Sequence, residues 1–219
     1  MTTYEKNELI LATKDTVFLL GITAIFVIVL GISLGFILFF TEKGVILKDS
    51  IIKKTTHRIT GFMVDIARSI PFIILMILLI PVTVIILGTM IGAKAALPAL
   101  IISASPFYAR VVYMSLRDIP KGQIEALESL GATRLTIVKY LIKESLPSLI
   151  SGLTVTLVTL VGFIASAGAI GAGGLGDLAK RKAFSGDYKI MYICIAIILL
   201  IVFIIQISGD FFAKKIDKR

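Results

Sequence analysis

Side chains that carry chemistry are scarce in this sequence. It has one cysteine, Cys194, and one histidine, His57. A lone thiol cannot close an internal disulfide, and a lone imidazole cannot build a metal site without several partners, so both read as structural. No carboxylate pair stands where acid–base catalysis would need one. No G-x-x-x-x-G-K-[ST] phosphate loop occurs: the nearest string, "GTMIGAK" at 88–94, has the wrong spacing. The chain therefore cannot be an ATPase by itself, and a membrane enzyme is a poor reading. Charge is also sparse, with 17% charged residues against 57% hydrophobic ones and a mean hydropathy of +0.99. A soluble domain carries roughly 25% charged and 45–50% apolar residues, so this composition marks a membrane protein. Heptad arrays, low-complexity tracts and repeats of 20–50 residues are missing too.

What the chain has instead is long uncharged runs. Crossing a hydrocarbon core of roughly 30 Å takes about 20 helical residues. The runs predict an all-α polytopic protein with five spans, at about 16–41, 60–81, 95–114, 148–168 and 190–209. "VTVIILGTMIG" (82–92) then lies at the far interface. Asp65 and Arg68 fall inside span two, three residues apart on one helical face, where they could pair. Residues 1–15, with Glu5, Glu8 and Asp15, form an external segment without the features of a cleaved signal peptide. Residues 211–219 form a basic tail.

Basic residues set the orientation of such a protein. With the C-terminus cytosolic, the inner segments hold fourteen: Lys43, Lys48, Lys53, Lys54 and Arg58, then Arg117, Lys121, Arg134, Lys139 and Lys143, then Lys214, Lys215, Lys218 and Arg219. The outer segments hold seven: Lys6, Lys14, Lys94, Lys180, Arg181, Lys182 and Lys189. The N-terminus is accordingly expected outside. The net charge of +9 fits positive-inside loops and needs no nucleic acid.

The longest polar interruption, 115–147, exceeds what joining two helices requires, about 2–8 residues. Pro120 can start a helix in it. Ile124, Leu127 and Leu130 recur on one face, Glu125 and Glu128 on the other, and Gly131 ends the helix as a left-handed residue would. A second amphipathic run, Leu135 to Ile142, returns to the bilayer. A helix resting on the membrane surface is the plain alternative.

"EALESLGA" (125–132) resembles the EAA loop of ABC-importer permeases. Glu125, Ala126 and Gly131 match, and Leu127 stands where the pattern has a second Ala. The pattern's later Ile-x-Leu-Pro is not found where expected, and Leu146-Pro147 follows three residues on. With "ARSIPFIILMILLIP" (67–81), "SPFYARVV" (105–112), "LVTLVGFIASAGAIGAGGLG" (157–176) and "QISGD" (206–210), nearly all of the chain from residue 16 is similar to the permease subunit of D- and L-methionine ABC importers. That resemblance implies a homodimer in the bacterial plasma membrane. It also implies two cytosolic ATPase subunits, which would hold the ATP and Mg, and an external methionine-binding protein; no cofactor would sit in this chain.

On that footing Glu125, Ala126, Leu127, Glu128, Gly131 and Ala132 form the surface that couples to the ATPase. Span four is rich in small and hydroxyl residues, and packing alone would account for them. The resemblance favours a pathway on the two-fold axis with Thr159, Gly162, Phe163, Ser166 and Ala167 near the gate. Arg68 and Arg110 either snorkel to the interface or, for Arg68, help hold Ser69 to Pro71, where the Pro interrupts span two. The basic segment 176–189 could dock an external protein or simply be solvated.

Gly171, Gly173 and Gly176 reproduce the G-x-G-x-x-G dinucleotide fingerprint, which also needs a preceding strand and an acid about 20 residues on. A membrane-spanning run precedes them here and Ala196 stands at that distance. Together with Gly174 they are expected to form a tight turn on the outer face. An ion-coupled secondary transporter would show paired intramembrane acids and inverted repeats, whereas Asp65 stands alone. The same machine with another amino acid or an osmolyte as cargo remains open.

Overall fold

The computed structural model describes residues 2–43 and 50–217. Among them are nine α-helices and no strand. Lys48, Lys218 and Arg219, which entered the orientation reading, lie outside the described residues.

Helix α1 (Thr3–Thr41) opens with a reciprocal cap. Thr2 Oγ1 accepts from Glu5 N at 3.3 Å and Glu5 Oε2 accepts from Thr2 N at 2.7 Å, which satisfies two of the free donors at the helix start. At 1.5 Å per residue the helix is about 58 Å long, so it outreaches the hydrocarbon core. Residues 3–15, expected as an external segment, are helical and continue the helix of span one beyond its uncharged run. Leu9 and Ala12 pack there with Leu175, Leu178, Ile190 and Cys194 in a small second core.

Span two differs more. Helix α2 (Ile51–Ser69) is capped by Ser50, and α3 (Phe72–Leu78) leaves it at 106°. The cause is local: Pro71 offers no N–H and forces Ile70 out of the helical region, to φ −82°, ψ 124°. Helix α4 (Ile80–Leu87) follows and stops at Gly88. The continuous helix expected over 60–81 is therefore broken, begins nine residues earlier at Ile51, and counts as one crossing only if α2 and α3 are taken together.

Helix α5 (Ala93–Arg117) is the central post. Helix α1 lies against it through Gly31 and Gly35, one turn apart. A Cβ on Gly31 would stand 2.6 Å from Tyr108 Cδ1, and one on Gly35 2.6 Å from Val112 Cβ, so glycine is what lets the two backbones approach. The Tyr108 hydroxyl donates to Leu149 O at 3.3 Å and ties α5 to α7. Leu19, Leu100, Leu116, Leu141 and Leu160 form the buried core between these helices.

After the short α6 (Lys121–Ser129), α7 runs unbroken from Arg134 to Ala167 with Pro147 inside it. The amphipathic run 135–142 and span four, read from sequence as a loop and a crossing, are one helix. Helix α8 (Gly174–Phe184) caps the far end and α9 (Tyr188–Ile216) returns. Ile195, Leu199, Phe203 and Ile207 stand exposed along α9, a surface suited to lipid. The end of α1, the starts of α2 and α7, and the ends of α5 and α9 share one side of the bundle with α6.

Candidate functional site

Helix α6 is held firmly despite its length. Ile124 is buried and Leu127 half-buried against the core that also holds Ile119, Ile137 and Leu141. The Tyr140 hydroxyl of α7 donates to Gln123 Oε1 at 2.8 Å. At the other end Gly131 takes φ +74°, Ala132 N donates to Leu127 O and Gly131 N to Glu128 O, both at 3.0 Å. Those bonds use carbonyls that the helix end would leave free. Thr133 then caps α7. A Cβ at Gly131 would meet nothing within 4 Å, so the position demands the left-handed backbone and not the space.

The faces sort differently from the periodicity. Leu130, expected beside Ile124 and Leu127, lies beyond the last turn and is 84% exposed. Leu127 packs against the core with Ile124 as the periodicity has it, and so does Ala132, although the resemblance put both in the coupling surface. Glu125, Ala126, Glu128, Leu130 and Gly131 make the outward face.

A second constellation forms at the break after α2. Arg68, Ser69 and Pro71 are exposed, and Ser69 Oγ donates to Asp65 O at 2.8 Å. Asp65 and Arg68 form no ion pair. The Arg68 guanidinium instead reaches α5 and lies 5.6 Å from the Phe107 ring centroid. Just past the break, Phe72 stacks on Phe163 of α7, with centroids 4.8 Å apart and planes at 10°. The structure thus brings the helix break and Phe163 together. Phe72 and Phe107 were missed by sequence reasoning, because a contact between distant apolar residues leaves no local pattern. Arg110 similarly covers the Tyr113 ring, at 5.1 Å.

Along α7, Thr159, Gly162 and Ser166 follow one stripe that no other helix of this chain fully covers. The Thr159 and Ser166 hydroxyls donate to Val155 O and Gly162 O, each at 2.9 Å, so neither needs an outside acceptor. Ala167 leaves this set: it is fully buried in the core.

At the opposite end, the chain widens into an irregular turn over 168–172 with Gly171 at φ +106°, followed by Gly173 and Gly174 at φ +75° and +77°. Gly176 abuts the Ala165 backbone, where any Cβ would collide, and Leu175 N donates to Thr16 Oγ1 at 2.9 Å. The glycines serve to fold α8 back onto α7 and α1. Beside them Glu8 lies 2.9 Å from Lys182 Nζ and 3.4 Å from Arg181 Nη1, while Arg181 also meets Asp177 at 3.0 Å. The Lys182 ammonium foremost, then the Arg181 guanidinium, holds the Glu8 carboxyl below its ordinary range against the opposing effect of burial.

Apolar helices of membrane-crossing length, with one pinned polar helix between two of them, define a multi-span membrane protein. Residues 43–219 match the family described as "Binding-protein-dependent transport system inner membrane component", and the chain belongs to that family. It is a multi-pass permease subunit of the bacterial inner membrane. It is 47% identical to the "Methionine import system permease protein MetP" of Bacillus subtilis over 84% of this chain and 82% of that one. It is 42% identical to the "Probable D-methionine transport system permease protein MetI" of Vibrio cholerae over 96% and 93%. A crystal structure described as inward-facing conformations of the MetNI methionine ABC transporter superposes over the whole of both chains with a TM-score of 0.93 at 36% identity.

Proposed function

We propose that this chain is the permease subunit of an ATP-driven methionine importer. Two copies would form the pathway, two cytosolic ATPase subunits would hold ATP and Mg, and an external receptor would deliver the amino acid. The observation that carries the reading is the end-to-end likeness to a chain of a methionine transporter, backed by relatives named for methionine or D-methionine transport.

On this reading α6 is the coupling element. Glu125, Ala126, Glu128 and Gly131, joined by Leu130, meet the ATPase, while Leu127 and Ala132 anchor the helix from behind. Ile124 and the Tyr140–Gln123 bond carry its displacement into α5 and α7, since a pinned helix transmits a rigid-body motion. Arg68, Ser69, Pro71 and Phe72 then slide against Phe107 and Phe163 as the crossings rock between states. Thr159, Gly162 and Ser166 line the two-fold axis, and the Gly171–Gly176 turn stands on the outer face with the N-terminus outside.

The test is uptake of labelled methionine into proteoliposomes that contain the subunit, its ATPase and its receptor. Accumulation is expected with ATP and not with a non-hydrolysable analogue. Accumulation without nucleotide would sink the ATP-driven reading, and a clear preference for another amino acid would sink methionine.

A further inference from the structure

Three cations follow one another on α8, and the fold uses them differently. Arg181 and Lys182 both hold carboxylates: each meets Glu8 of α1, Arg181 also meets Asp177, and Lys182 lies 3.9 Å from Asp187. Lys180 pairs with no acid among the described residues. Its ammonium reaches back along the chain and donates to Ala169 O at 2.6 Å. That carbonyl belongs to the irregular turn that ends α7, where Ile170 at φ −117°, ψ 21° and Gly171 at φ +106° leave the helical region. The end of a helix carries free carbonyls and partial negative charge, so a cation there steadies the turn.

A second carbonyl of the turn is held from another side. Gly92 N, at the corner where α4 gives way to α5, donates to Gly171 O at 3.1 Å. The carbonyls one residue before and one residue after Ile170 are thus tied to two different elements. Behind them the turn is packed backbone against backbone, since a Cβ on Gly168 would stand 2.7 Å from both Asp177 N and Gly173 O. Ile170 itself is 46% exposed, an apolar side chain four residues beyond Ser166, which ends the open stripe on α7. Of the two ties, the one from Lys180 is the one that can let go. A lysine on its flexible stem at the surface can release a carbonyl and regain it without moving a helix.

We infer that Lys180 is a positioning residue for the outer closure of the pathway. With its ammonium on Ala169 O, the turn keeps Ile170 at the end of the α7 stripe; without that bond, the turn is free to part from α8. The inference rests on the permease reading above, in which the stripe lines the pathway and the turn stands on the outer face. A pathway with alternating access is shut at one end while it is open at the other, so the bond matters in one state only.

The test uses the full chain with its ATPase and receptor in right-side-out membrane vesicles, in a C194A background with I170C as the reporter. An impermeant maleimide is added outside, without nucleotide and again with a non-hydrolysable ATP analogue. K180M should speed labelling of I170C about fivefold in one of the two conditions and leave the other unchanged, and K180R should restore the slow rate. F184C, 84% exposed at the far end of α8, should label alike with Lys, Met or Arg at position 180. Unchanged labelling of I170C in K180M under both conditions would overturn the role. So would equal acceleration under both, which would make the bond a static cap on α7, or equal acceleration at F184C, which would mean a general loosening of α8. Methionine uptake by C194A is measured alongside. Its absence while the K180M contrast persists would count against methionine as the cargo and leave the role of Lys180 standing.

Discussion

A single backbone angle makes Gly131 the most exposed point of the proposed coupling. Its φ of +74° strains any L-residue by roughly 1–2 kcal/mol, while the open space around it means that a new side chain would point outward into the partner. Gly131→Ala should therefore loosen the turn slightly, and a bulky residue should also hold the ATPase away. ATPase activity and methionine uptake measured in the same proteoliposomes should separate in the bulky variant, and coupled transport at the normal ratio would refute the role. Glu8 offers a second residue-level test. Its lowered pKa means that its stabilising contact with Lys182 and Arg181 is present above the unfolded carboxylate value and is lost as pH falls through the folded one. Amide protection in residues 3–12, taken relative to the intrinsic exchange rate at each pH, should fall as pH drops through that value, and E8Q should be poorly protected already at neutral pH. Exchange in E8Q that matches the wild type would show that the contact does not hold α1 on α8.

Among the elements, the break between α2 and α3 has the clearest energetic handle. The Phe72–Phe163 stack is worth about 0.5–1.5 kcal/mol beyond its buried area, enough to shift a two-state equilibrium several-fold if it exists in one state only. Phe72→Ala should then change basal ATPase activity several-fold with little loss of helicity, whereas unchanged basal activity would make the stack a passive contact. The existence and order of the crossings were legible in the sequence, because long uncharged runs need no tertiary context to be seen. Their ends were not. Lys139, Lys143 and Glu144 hide the start of α7 from any hydropathy window, yet they cost nothing on a helix that emerges into water. At Pro71 the break was visible but its size was not, since a proline restricts its neighbours without fixing the direction in which the chain departs. The α6 face shows the same limit: Ile124 and Leu127 turned inward as their spacing required, but Leu130 fell past the helix end, and the resemblance, which put Leu127 and Ala132 in the coupling surface, did not show that both pack against the core.

For the molecule as a whole, the most informative surface is the α7 stripe of Val155, Thr159, Gly162 and Ser166, open in one protomer although it lies on a buried crossing. Small side chains let helices approach closely in lipid, so on the homodimer reading Gly162 faces its own copy across the two-fold axis, or comes near it in one transport state. The chain's only cysteine, Cys194, is buried, so a C194A background is free of competing thiols. In that background G162C should form an intermolecular disulfide on mild oxidation, to an extent that differs between nucleotide-free and ATP-bound complexes. A disulfide needs Cα atoms roughly 4.4–6.8 Å apart, so the yield reports the separation of the two α7 helices directly. L199C, on the exposed face of α9, should remain monomeric under the same oxidant and controls for random collision in the membrane. If G162C fails to cross-link with or without nucleotide while uptake by C194A stays intact, the stripe faces lipid or another helix, and the pathway must lie elsewhere in the bundle.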